Sequence, residues 1–164
     1  MLPDCFGFGY TLPAVASHCG LIGFGTQKLQ WRYKPFYEKD RKVPFDFGIW
    51  EGIDGSRIMA VMDGSNYTWN PETPITDMKE IKDKISRSGV GAAYFYFGTK
   101  SSRLHGDQGG SPLPVSVRVI DQARRHPESY NVRFAATDDI FKDFNFSEKL
   151  PVFKGELPMD VHAT

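Results

Sequence analysis

Residues 92–98, AAYFYFG, constrain the fold more than any other stretch of the chain. A strand that is apolar on both faces must be covered on both faces. Upstream, Ile75, Met78, Ile81 and Ile85 recur at three-to-four spacing, with Ser88-Gly89 to end the pattern, which predicts an amphipathic helix lying on a sheet. Downstream, residues 115–125 predict a second helix and residues 132–136, VRFAA, another strand; Thr137 is then placed to cap a helix through DDIFKDF. Alternating strands and helices give an α/β chain, with parallel strands joined by crossover helices. Functional side chains in such folds gather in the loops beyond the carboxyl ends of strands.

The first third reads less regularly. Residues 12–19 predict a short helix stopped by Gly20 as a left-handed cap, and residues 21–26, LIGFGT, a short buried strand. Residues 32–43 are charged and hold a proline, as a solvated loop would. The runs 47–50 and 56–62 flank EGIDG, whose Asp-Gly pair predicts a hairpin. Residues 150–164 predict a closing extended segment. Without repeats or low-complexity tracts, the whole reads as a single domain.

Lysine plus arginine and aspartate plus glutamate balance at 20 each, so no global field draws nucleic acid or an anionic membrane, and a neutral or small partner is favoured. The apolar runs are too short to span a bilayer, and no basic leader precedes an apolar core. The two cysteines, Cys5 and Cys19, make no disulfide framework and read as free thiols.

Three features carry possible chemistry. Asp4 stands between a proline and alternating aromatics and glycines, in LPDCFGFGY. A carboxylate in apolar company calls for a metal, a reaction or, more simply, a turn cap. The loop GDQGGSP, 106–112, has neither phosphate-cradle spacing, leaving Asp107 where small residues let a ligand approach the backbone, or else a plain surface turn. Among the histidines, none at metal-motif spacing, His162 follows LPMDV as a possible ligand at a strand end. Most aromatics belong to the core, but those near strand ends can stack on the apolar face of a sugar.

Taken together, several segments resemble one family. LPDCFGFGYTLP resembles the tryptophan-x-x-aspartate-x-phenylalanine-glycine motif of glycoside hydrolase family 38, with Met1 in place of the tryptophan. FGTQKLQW, WEGIDGSR, GDQGGSP and LPVFKGELPMDVHAT are similar to later segments of that catalytic domain, in the same order. The resemblance implies a zinc-dependent retaining α-mannosidase built on a seven-stranded (β/α) barrel, acting on mannose-containing glycans. Asp4 then matches the aspartate that is both zinc ligand and nucleophile, and His162 the last zinc-binding histidine. Asp107 becomes the general acid/base, about 5 Å from Asp4 in a retaining enzyme, with its carboxyl shifted upward relative to a zinc-bound Asp4. Phe6 matches a sugar-contacting aromatic, and Trp50 and Tyr67 are further candidates for the sugar subsite. Lys28 falls where an arginine often stands, keeping a donor but losing the planar fork.

The family's first barrel strand also carries a histidine-x-aspartate pair, which nothing before Leu2 supplies. The chain, residues 1–164, is therefore expected to be an internal piece of the catalytic domain, truncated at both ends and incomplete on the N-terminal side of the barrel. It would work with the remaining parts of that domain and be inactive alone. Two alternatives remain open: a carbohydrate-binding or structural domain without catalysis, and a metal-dependent carbohydrate deacetylase.

Overall fold

A computed structural model describes residues 1–2, 5, 7–27, 29, 43–62, 69–95, 112–144 and 149–158. Its centre is the predicted hairpin. Strands β3 (Phe47–Glu51) and β4 (Arg57–Val61) pair antiparallel from Phe47↔Val61 to Glu51↔Arg57. Asp54 locks the turn between them, accepting from the Ser56 backbone N–H at 2.9 Å and from its hydroxyl at 2.8 Å. Such a tight connection forces the two strands antiparallel, so parallel partners attach only on the outside. On one side β2 (Gly23–Gly25) runs parallel to β4; on the other β5 (Val152–Lys154) runs parallel to β3. The sheet is thus mixed, in the order β2-β4-β3-β5, where a parallel one was expected. Two further strands, β1 (Gly7–Phe8) and β6 (Leu157–Pro158), form a separate antiparallel ribbon. The described strands compose these two sheets and no seven-stranded barrel.

Alternation along the strands divides the core. Phe24, Trp50, Ile58, Ala60 and Met62 face Phe8, Ala16 and Leu157 on one side. Phe47, Ile49, Met59 and Val61 meet Ile140, Phe141 and Leu150 on the other. Helix α1 (Leu12–His18) carries Pro13 in its first turn and is followed by Gly20 at φ +74°, the left-handed residue expected there.

The spacing of Ile75, Met78, Ile81 and Ile85 is met by two pieces, a 3₁₀ turn (Ile75–Asp77) and helix α2 (Lys79–Arg87), because Met78 is extended at ψ 116°. Ile75 and Ile81 still face one way, onto Ala123 of α3 (Pro114–Arg125), in a third apolar cluster. Helix α4 (Asp139–Asp143) begins after Asp138, which has no side-chain cap; Thr137 is not its cap. The Asp139 carboxylate instead accepts from the Ala136 N–H at 2.8 Å.

Two predicted strands are absent from the described residues. Residues 92–95 form no ladder, although all four are half-buried. Their apolar side chains are divided between clusters: Tyr94 packs toward α4 and the sheet, and Phe95 stacks on Trp69 at 4.6 Å. Coverage on both sides is achieved without strand pairing. Residues 132–136 are also irregular; Val132 joins the third cluster and Phe134 is 50% exposed.

Candidate functional site

The chain positions the flanks of its candidate residues more fully than the residues themselves. Asp4, Phe6, Lys28, Tyr67, Asp107 and His162 lie outside the described residues; Trp50 lies within them. Gly7 and Phe8, which follow Asp4 and Phe6, pair with Pro158 and Leu157, which precede His162. One ribbon therefore joins the two segments from which both expected metal ligands extend. The Leu2 N–H donates to Gly25 O at 2.9 Å, bringing the start of the Asp4 segment against β2, whose continuation is Thr26, Gln27 and Lys28.

An aromatic cluster underlies this junction. Phe8 meets Phe24 edge-on at 4.9 Å, and Phe24 meets Trp50 at 5.1 Å. Trp50 has no exposed surface, and its indole N–H donates to Gly155 O at 2.9 Å, tying β3 to the bend before β6. In this structure Trp50 therefore has no open surface to present to a sugar, and its polar edge is taken by the Gly155 carbonyl.

Sequence reasoning missed Thr26 and Gln27. Thr26 is fully enclosed and Gln27 nearly so, and neither Thr26 Oγ1 nor the Gln27 amide has a partner among the described residues. Burying polar atoms unpaired is unfavourable, which singles out this strand end. The signal was present in FGTQK, a polar pair directly continuing an apolar strand.

The resolved charges are mostly structural. Glu51 accepts from Arg57 at 2.8 Å and pairs with Lys154, and these cations hold its carboxyl below the usual range. Asp54 is held down to about 2 by the Ser56 hydrogen bonds and by His18 Nε2 at 2.9 Å. Burial pushes the Tyr94 phenol up, reinforced by Asp139 and Asp138. Among the described residues no three histidine, cysteine or acidic side chains converge as a metal site, and both cysteines are free. A cavity of about 930 Å³ is lined by Met1, Gln27, Trp69, Tyr94, Phe95 and Tyr130 among others, and by none of the four paired ribbon residues.

Comparison with known proteins adds an independent line. The sequence profile of the glycosyl hydrolases family 38 N-terminal domain matches residues 1–156. The chain is 29% identical over 166 residues to alpha-mannosidase G of Dictyostelium discoideum and 26% identical over 163 residues to alpha-mannosidase 2C1 of Homo sapiens. Each match covers 98% of the chain, which spans 14% of the length of either relative. The fold is similar to that of an alpha-mannosidase from Enterococcus faecalis V583, with a TM-score of 0.62 at 17% identity, over 94% of this chain and 17% of that one.

Proposed function

The chain belongs to glycosyl hydrolase family 38, as part of its N-terminal domain, and from that premise we propose that it contributes to a retaining α-mannosidase site. The observation that carries the reading is the profile match over residues 1–156; the β1–β6 pairing, which joins the Asp4 and His162 segments, supports it. The substrate is a terminal α-linked mannose of a glycan, a neutral ligand in keeping with the balanced charge of the chain.

In this reading the Asp4 carboxylate attacks the anomeric carbon from the face opposite the leaving oxygen, to which Asp107 gives a proton. A covalent mannosyl-enzyme results. Asp107, now deprotonated, takes a proton from water, whose oxygen attacks the same carbon and releases mannose with retained configuration. Phe6 stacks on the sugar and Lys28 donates to a hydroxyl. Asp4 and His162 are the residues of this chain that would hold a zinc ion, a group that supplies positive charge to polarise sugar hydroxyls.

The test is release of mannose from an aryl α-mannoside by the 164-residue chain and by the full polypeptide its gene encodes, each with and without Asp4→Asn. Activity of the full polypeptide that disappears in the variant is the expected result. Full activity of Asp4→Asn would remove the nucleophile assignment.

A further inference from the structure

Gln27 is 3% exposed, and neither its amide oxygen nor its amide nitrogen has a hydrogen-bond partner among the described residues. Strand alternation puts it on the side of Gly23 and Gly25, where β2 contributes no side chains. There it lines the cavity of about 930 Å³, whose wall also includes Trp69, Tyr94, Tyr130, Phe134 and Thr137. A smaller cavity of about 190 Å³ adjoins it, sharing Tyr94 and Thr137. Arg133 and Asp143, the charged side chains of the larger wall, pair with each other.

A primary amide carries two donors and an acceptor, and burying it unbonded is unfavourable. Its place in the cavity wall is explained if what enters the cavity uses it. The volume lies at the upper end of the range for small-molecule sites, roughly 300–1,000 Å³, with room for more than one ring. Aromatic rings on the wall suit apolar faces; the amide, the Tyr94 phenol and the Thr137 hydroxyl suit polar edges. Burial pushes the Tyr94 phenol up, so it keeps its proton to donate. With the two charges paired, the complementary ligand is neutral. We propose that this cavity is a carbohydrate subsite for the inner sugars of a neutral α-mannoside chain, with Gln27 bonding their hydroxyls and Phe134 stacking on a ring at the rim. The choice of a sugar among neutral ligands rests on the mannosidase reading.

The test is calorimetric titration of the full encoded polypeptide, native and Gln27→Leu, with an S-linked α-mannotriose that glycosidases do not cleave. Gln27→Leu is expected to lower the affinity roughly tenfold, the loss of one good hydrogen bond. Its Tm is expected not to fall, because the deleted amide has no partner in the ligand-free fold. A merely structural glutamine gives the reverse, a lowered Tm with unchanged affinity. Phe134→Ala, at a position 50% exposed, is also expected to weaken binding, and it decides alone if Gln27→Leu does not fold or loses stability. Unchanged affinity in the deciding variant overturns the proposal. So does a native polypeptide that binds no mannotriose, which would mean that protein fills the cavity. Mannose release is measured in parallel: binding that depends on Gln27 without any release overturns the mannosidase reading and leaves the subsite, whereas release with binding indifferent to both substitutions overturns the subsite alone.

Discussion

An aromatic residue near a turn has two ways to use its polar edge, and Trp50 shows which one prevails when a carbonyl is within reach. Its N–H is committed to Gly155 O at 2.9 Å and its rings are closed in by Phe8 and Phe24. Trp50→Phe should therefore cost about 1–3 kcal/mol in a urea titration, by leaving the half-buried Gly155 carbonyl without its donor, and leave KM for an aryl mannoside unchanged. A raised KM with unaltered stability would return Trp50 to the sugar subsite. Asp54 makes a second claim at this scale. Its pKa is depressed to about 2 in the fold, against an ordinary value near 3.8, so its contribution is complete above about pH 5 and is lost as pH falls through 4 toward 2. The Tm difference between the native chain and Asp54→Ala should be constant above pH 5 and shrink between pH 4 and pH 2. A difference independent of pH would show that the turn does not depend on the charge. Local signals made the Asp54 turn legible, since Asp-Gly between apolar runs specifies a hairpin without help from distant residues. Thr26 was only half legible: FGTQK shows a polar pair continuing an apolar strand, but the full enclosure of the threonine is a product of tertiary packing that no local signal carries.

At the scale of elements, the same distinction separates what the sequence revealed from what it concealed. Helices α1 and α3 and the β3–β4 hairpin are encoded by contiguous caps, periodicity and turn residues, and they stand close to where those signals put them. The direction of β2 and β5 is not encoded locally; it follows from the hairpin occupying the middle of the sheet. Residues 92–95 have the composition of a buried strand, yet composition specifies only that apolar groups be covered, and two side-chain clusters do that as well as two layers of a sheet would. Gly48 shows how tightly the observed register is built. A Cβ there would lie 2.7 Å from Pro151 O, a backbone atom that cannot swing aside, and 2.7 Å from the Phe45 ring. Gly48→Ala should destabilise the protein by about 1–3 kcal/mol, as overpacking does, through the β3–β5 contact. Chemical denaturation checks the magnitude, and a neutral result would mean that β5 is not seated against β3 as described.

At the scale of the whole molecule, the proposed zinc reading poses a question of ligand number. Zinc takes about four ligands, and the family resemblance assigns two of them, Asp4 and His162, to this chain. The described residues hold no cluster of three possible ligands, and among them the ribbon that joins the two segments shows the pairs Gly7↔Pro158 and Phe8↔Leu157. With two protein donors, water would fill the remaining positions at little gain over free solution. Isothermal titration of the 164-residue chain with zinc should accordingly give weak binding, lost on His162→Ala. Adding the metal should raise Tm little, because stabilisation by a ligand grows only with its concentration relative to Kd. Tight one-to-one binding that survives His162→Ala would mean that other residues, such as His105 or Asp160, complete a site of their own, and the assignment of His162 would fall with it.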